Sequence, residues 1–190
     1  MCDVLMKWSE ISYKGVYAHS DESRQAVLGY FLVSLGIDLE RLPRNLFEPY
    51  SYFPPSAKST KEYTLKKVYV RDIVGTSRRE YAEDNQILFS FMKLKRIKDY
   101  ILNGQVTKNK YLWMMKHTKQ ECPVILSRNL DNTFYVNGNG NHRVLSYKIM
   151  MLAEIAQNYK WVYEDDYAMT FNGFDEITKK YWLYARVLNT

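Results

Sequence analysis

Cysteine and histidine are scarce in this chain: among 190 residues there are only Cys2 and Cys122, together with His19, His117 and His142. Two distant cysteines build neither a disulfide framework nor a cysteine zinc site, and scattered histidines add no ligand cluster. Cys122 is read as a small buried apolar residue, the usual setting of an unpaired thiol. Long apolar runs are missing too, and no stretch approaches the roughly 20 residues of a membrane-spanning helix. The opening Met1-Cys2-Asp3-Val4-Leu5-Met6-Lys7 lacks the ordered charged, apolar and cleavage regions of a secretory signal. These absences set the expectation of a cytoplasmic protein without a membrane partner.

What is present is a core-sized apolar fraction, 46% of the residues, and a basic balance of 27 Lys and Arg against 21 Asp and Glu, a formal net charge of +6. The length suits one compact domain with an appendage. A basic surface raises encounter with phosphate-rich partners without choosing among them. The 17 Tyr and 4 Trp serve interiors and contact surfaces alike, so they leave a protein partner open.

Ser20 followed by Asp21 and Glu22 starts a helix with acids opposing the positive end of the macrodipole. Val27, Tyr30, Phe31 and Leu35 then share one face, predicting a helix over about 21–35 that Gly36 stops. From Pro43 to Tyr63, prolines and aromatics read as a connector that either wraps the domain or meets a partner. Lys67 to Arg71 reads as a strand, and a turn at Thr76-Ser77-Arg78-Arg79 leads into a helix with Ile87, Phe91, Leu94, Ile97 and Ile101 on one side. Lys93, Lys95, Arg96 and Lys98 occupy the rest of that helix, either as a solvated face or as a nucleic-acid stripe. Lys108, Lys110, Lys116 and Lys119 surround Tyr111-Leu112-Trp113-Met114-Met115, which is either a packed short helix or a base-stacking groove.

Residues 123–127 read as a buried strand, Leu130 to Thr133 as a hairpin turn and Phe134-Tyr135-Val136 as the returning strand. From Arg143, Leu145, Ile149, Leu152 and Ile155 recur at helical spacing. A strand at 161–163, an acidic turn at Glu164-Asp165-Asp166, a helix near 175–180 and a strand at 181–187 complete the pattern. The expected class is α+β, a small mixed β-sheet with surrounding helices, divided into an N-terminal helical extension (1–62) and a main domain (63–190).

Chemistry concentrates in Asn137-Gly138-Asn139-Gly140-Asn141-His142-Arg143. Gly and Asn adopt positive φ at least cost, so such a backbone can gather several N–H groups. Ahead of a helix, they join its unpaired donors and its positive dipole end, the arrangement that binds phosphate. Arg143 adds a forked cation, and His142 can move a proton near neutral pH. The plainer alternative is a tight turn capped by its own His and Arg.

These segments resemble the ParB/sulfiredoxin-like superfamily of nucleotide-binding domains over about residues 66–165. The resemblance rests on Val68-Tyr69-Val70-Arg71-Asp72-Ile73 leading to Arg78-Arg79, the Asn103-Gly104 helix end, Pro123-Val124-Ile125-Leu126, Phe134-Tyr135-Val136-Asn137-Gly138 and Gly140-Asn141-His142-Arg143. It implies a ParB/sulfiredoxin-like fold and a site for the phosphates of ATP or CTP, usually with a divalent metal such as Mg2+. That site would be formed around Gly138, Asn139, Gly140, Asn141, His142 and Arg143, with Arg78 or Arg79 reaching in. Sulfiredoxins place a cysteine immediately before His-Arg, where this chain has Asn141, so chemistry that needs a thiolate is not expected. Partition proteins carry further arginines after the motif and a long helix-turn-helix domain, and this chain has no second Arg in the turn after Arg143. Kinase-like relatives place an acid before the motif glycine, where Asn139 stands, so an acid would have to come from Asp72, Glu80 or Glu83.

Two functions follow as expectations. One is a nucleotide hydrolase or ParB-like DNA nuclease in which Arg143 and Arg78 stabilise charge at phosphorus, and His142 or a carboxylate such as Asp72 positions water. Glu164-Asp165-Asp166 would then hold Mg2+ unless it is merely a solvated run. The other is a plasmid, phage or mobile-element regulator that binds DNA or a protein without turnover, favoured by asparagine at positions where relatives carry Cys, Glu or Asp.

Overall fold

The computed structural model describes residues 7–11, 21–55, 62–94, 123–163 and 171–188. Six strands form one mixed sheet: β1 (Ser51–Tyr52), β2 (Tyr63–Tyr69), β3 (Ile73–Thr76), β4 (Val124–Arg128), β5 (Phe134–Val136) and β6 (Trp182–Leu188), in the spatial order β1-β3-β5-β4-β6-β2. β4 and β5 make an antiparallel hairpin, and β2 pairs antiparallel with β6 from Tyr63↔Leu188 to Tyr69↔Trp182. The pairs β1–β3, β3–β5 and β4–β6 are parallel. The chain is thus mixed α/β, in line with the class expected from the sequence.

Connection length forces the sheet to curl. Tyr69 and Ile73 are four residues apart, a reach of at most about 14 Å. In a flat sheet β2 and β3 would stand four strand spacings apart, about 19 Å. The two flanks must therefore bend toward each other, and the Lys66 ammonium on β2 accordingly lies 4.9 Å from the centre of the Phe134 ring on β5.

The helices among the described residues are α1 (Asp21–Ser34), α2 (Ile87–Met92), α3 (Asn141–Asn158) and α4 (Phe171–Lys180). α3 is nearly all apolar from Val144 to Ala156, and it packs with α2, α4 and the residues just before β3. Val27, Leu28, Phe31 and Leu32 of α1 join the same core, with Phe31 stacked on Phe91 at 5.2 Å. Each such side chain contributes roughly 1.5 to 3 kcal/mol on burial. The Pro-rich connector wraps the domain, burying Leu42, Leu46 and Tyr50. The segment before residue 62 thus supplies a helix, a strand and part of the core.

Several elements differ from the sequence expectation: the strand expected at Lys67 to Arg71 spans Tyr63–Tyr69 and gives way to a 3-10 turn over Val70–Asp72, and the helix expected from Ile87 toward Ile101 ends at Met92. β3 occupies residues to which the sequence assigned no element, and takes in Thr76, expected as the start of the turn; Gly75 belongs there because a Cβ at that position would run into the Ser51 carbonyl oxygen of β1. The strand expected at 161–163 is instead a 3-10 turn over Lys160–Val162, closed by the Tyr163 N–H donating to the Lys160 carbonyl at 2.9 Å. α3 runs to Asn158, and the chain passes through Tyr159 directly into that turn. Ile97, Ile101 and the basic and aromatic run from Lys108 to Lys119 lie outside the described residues, as do Cys2, Cys122, His19, His117 and Glu164-Asp165-Asp166.

Candidate functional site

The parallel strands β1, β3 and β5 end side by side, with Tyr52, Thr76 and Val136 in register. Beyond that edge, the Ser77 N–H donates to the Val136 carbonyl at 2.8 Å and the Ser77 hydroxyl meets Asn137 Oδ1 at 3.4 Å. The Thr76 hydroxyl accepts from the Arg78 N–H at 3.1 Å. Ser77-Arg78-Arg79 is thereby held against the glycine turn. Ligands of open α/β sheets bind beyond the carboxyl ends of parallel strands.

The turn is anchored on its β4 side. The Asn137 N–H donates to the Ile125 carbonyl at 2.8 Å, the Ile125 N–H donates to the Asn139 carbonyl at 3.3 Å, and Asn137 Nδ2 donates to Ser127 Oγ at 2.8 Å. Gly138 has φ 98° and Gly140 φ 127°, both left-handed. Gly140 is also the N-cap of α3, and a Cβ there would enter the Val124 side chain. No other residue fits both conditions without strain.

Asn141 opens α3 and is only 4% exposed. Its Oδ1 accepts from the Tyr50 hydroxyl at 3.3 Å and its Nδ2 donates to the Gly138 carbonyl at 3.4 Å. The Asn141 carboxamide therefore fixes the turn from inside. His142 and Arg143 follow, half-buried, and the His142 carbonyl accepts from the Ser146 hydroxyl at 2.6 Å. Among the described residues, the N–H groups of Gly138, Gly140 and Asn141 donate to no backbone carbonyl outside the helices and strands. Backbone donors at the start of an 18-residue helix, on the positive end of its dipole, form an anion-attracting edge.

The structure thus brings Gly138, Asn139, Gly140, Asn141, His142 and Arg143 beside the loop that carries Arg78 and Arg79. Both arginines are exposed; Arg78 pairs loosely with Glu80 at 3.7 Å, and Arg79 lies 5.8 Å from the Tyr52 ring centre. Asp72 is elsewhere. It stands before the opposite end of β3, about 13 Å of extended chain from Thr76, with Arg71 at 3.5 Å. Lys93 does not belong to a solvated stripe: it is 3% exposed and ion-paired to Glu83 at 3.0 Å and Asp84 at 2.8 Å. Its stem is packed in the core while its ammonium meets two carboxylates. Lys95, Arg96 and Lys98 lie outside the described residues.

Two neighbours went unread in the sequence. Tyr50 reaches Asn141 across 91 positions, a contact no local pattern announces. Lys148, two helical turns below Asn141, is 4% exposed. Burial lowers its ammonium to about 8, opposed by attraction to Glu48 and Asp72. Burial in turn raises the Glu48 carboxyl, with Lys148 opposing. A single charge inside the run Val144 to Ala153 was the available signal.

No protein-family model matches the chain, and comparison with curated proteins and with solved structures returns no match in either. Among the described residues, no three His, Cys, Asp or Glu side chains gather to hold a metal ion. No helix among the described residues is long and apolar enough to cross a membrane.

Proposed function

We propose that this protein binds the phosphate groups of a nucleotide, ATP or CTP, at the turn from Asn137 to Arg143. One observation carries the reading. Two left-handed glycines turn the chain onto the N-terminus of an 18-residue helix, at the carboxyl edge of three parallel strands and against the Arg78 loop. Backbone donors there meet a phosphate oxygen without a Cβ in the way, and the helix dipole adds roughly half a positive charge. Two of the segments that resemble the ParB/sulfiredoxin-like superfamily, Arg78-Arg79 and Gly140-Asn141-His142-Arg143, meet at this edge, in keeping with the phosphate site that the resemblance implies.

Binding without turnover is the better supported form of this function. The Asn141 carboxamide, at the position where sulfiredoxins carry their nucleophile, is committed to Tyr50 and Gly138. Asp72, the acid considered for positioning water, stands at the far end of β3. The role left to His142 and Arg143 is to orient a bound phosphate, and the protein then acts as a nucleotide-responsive binder of DNA or of a protein.

Isothermal titration with ATP and CTP, with and without Mg2+, tests the reading. Saturable binding is expected, weakened roughly ten-fold or more by Arg143→Ala, since a hydrogen bond to a charged group contributes about 1.5 to 3 kcal/mol. Absence of binding to both nucleotides, or unchanged affinity in a folded Arg143→Ala protein, overturns it. Hydrolysis that Arg143→Ala abolishes would restore the enzyme reading.

A further inference from the structure

The outward face of the β2–β6 ribbon carries a second surface. Residues opposite one another on this face are Tyr69↔Trp182, Lys67↔Tyr184, Leu65↔Arg186 and Tyr63↔Leu188, of which Leu188 alone is buried. Their alternates Leu183, Ala185 and Val187 are buried in the core. Leu65 is 62% exposed, Lys67 and Arg186 are exposed, and Tyr69, Trp182 and Tyr184 are half-buried. Side chains alternate across a strand with period two, so a row of rings interleaved with cations is a consequence of the register.

The contacts within the row are ordered. The Lys67 ammonium lies 4.5 Å from the Trp182 ring centre and 5.1 Å from that of Tyr69. Trp182 meets Tyr184 edge-on at 5.3 Å and 88°. Arg71 extends the row at one end, 5.8 Å from the Tyr69 ring centre, with Asp175 on its guanidinium at 2.7 Å. Neither β2 nor β6 carries a carboxylate.

We propose that this face binds single-stranded nucleic acid, with Tyr184, Trp182 and Tyr69 stacking bases and Lys67 and Arg186 meeting backbone phosphates. Interleaved rings and cations on an open surface form the platform that sequence-tolerant single-strand binders use. From the Tyr69–Trp182 pair to the Leu65–Arg186 pair the row runs about 14 Å, room for the two or three stacked bases that RNA-binding sheets hold. A duplex keeps its bases stacked inward and offers only phosphates, so the rings favour the single strand. An apolar protein surface would desolvate Lys67 and Arg186 without a carboxylate in return, which is unfavourable. A second copy docking edge-to-edge is opposed by Lys66 and Lys67 on the edge strand. The proposal does not depend on the nucleotide site at the glycine turn.

Fluorescence anisotropy with labelled 12-nucleotide RNA, the same-length DNA and the corresponding duplex tests it. Either single strand is expected to bind at least ten times more tightly than the duplex, and the two arms tell RNA from DNA. Tyr184→Ala is expected to weaken binding by about 5- to 150-fold, the range for loss of one stacked base, with Tyr184→Phe near wild type. Arg186→Gln and Lys67→Gln, at exposed positions, should each lower the slope of log affinity against log salt by about 0.7. These charge variants keep the proposal falsifiable even if Tyr184→Ala fails to fold, since unchanged slopes would place the phosphates elsewhere. Saturating ATP is expected to leave the oligonucleotide bound, which separates this surface from the turn. Equal affinity for the duplex, equal displacement by polyglutamate, unchanged salt slopes in both charge variants, or a concentration-dependent dimer lost in Arg186→Gln overturns the proposal.

Discussion

Replacing Lys148 by Met should stabilise the protein at neutral pH, contrary to the usual effect of altering a core position. The ammonium is nearly sealed from solvent and its pKa falls from the ordinary 10.5 to about 8. At 1.36 kcal/mol per unit, that shift corresponds to about 3 kcal/mol held against the folded state wherever the lysine is charged. The sign follows from proton counting. Between pH 8 and 10.5 the unfolded chain binds the proton and the folded chain has released it, so unfolding free energy rises with pH across that window. Below pH 8 the full penalty remains. Lys148→Met keeps the stem and removes the charge, but it also leaves Glu48 without the cation that offsets its burial. Glu48 is more open to solvent than Lys148, so water takes over part of that role, and the net gain at pH 7 is about 1 to 3 kcal/mol. Urea unfolding followed by tryptophan fluorescence provides the assay. The variant should lead at pH 7, and its lead should shrink by about 2 kcal/mol by pH 9.5 as the wild-type lysine becomes neutral. A variant less stable at pH 7, with a difference from wild type that is flat in pH, would falsify the claim that burial of this ammonium outweighs its attraction to Glu48 and Asp72.

The glycine turn yields two further stability tests. Gly140→Ala forces a side chain into a left-handed backbone and into Val124, at a combined cost of about 2 to 4 kcal/mol that thermal unfolding should register as a clear drop in Tm; a wild-type Tm would show that the turn repacks freely. Tyr50→Phe removes the hydroxyl from Asn141 Oδ1, costs about 1 to 2 kcal/mol, and should speed amide exchange at Val144, whose N–H donates to the Gly140 carbonyl; unchanged exchange there would mean the bond does not hold the helix start.

Elements whose partners are close in sequence were legible. The β4–β5 hairpin showed in two β-branched runs around Leu130 to Thr133, and α1 and α3 showed in their apolar spacing. The Asn137 to Arg143 turn stood out because Gly and Asn alternate nowhere else in the chain. β3 was not legible: it is four residues long and contains Gly75, whose place in a strand is set by the approach of Ser51 from β1. The strand reading of Trp161 to Tyr163 failed because a local bond won: the Tyr163 N–H donates to the Lys160 carbonyl and closes a 3-10 turn instead of entering a sheet ladder. Lys93 looked like one of several surface cations, and only the return of the exposed Glu83 and Asp84 to the end of α2 lets its side chain be buried with the ammonium paired.

The curl of the sheet brings the two proposed surfaces under one electrostatic influence. Ile125 carries the hydrogen bonds that anchor the glycine turn and is also the partner of Arg186 across β4 and β6. Two strand spacings, about 10 Å, therefore separate the turn backbone from a cation of the aromatic row. That distance is close to the Debye length at 0.1 M salt, so charges on the two surfaces sense one another at low ionic strength and become independent as salt rises. Loss of Arg143 consequently lowers the potential over both surfaces at once, whereas Tyr184→Phe and Tyr184→Ala leave every charge in place. Any change those tyrosine variants produce in oligonucleotide affinity must come from the ring, and for that reason the tyrosine pair, rather than any arginine, separates stacking on the sheet face from simple attraction to a basic protein.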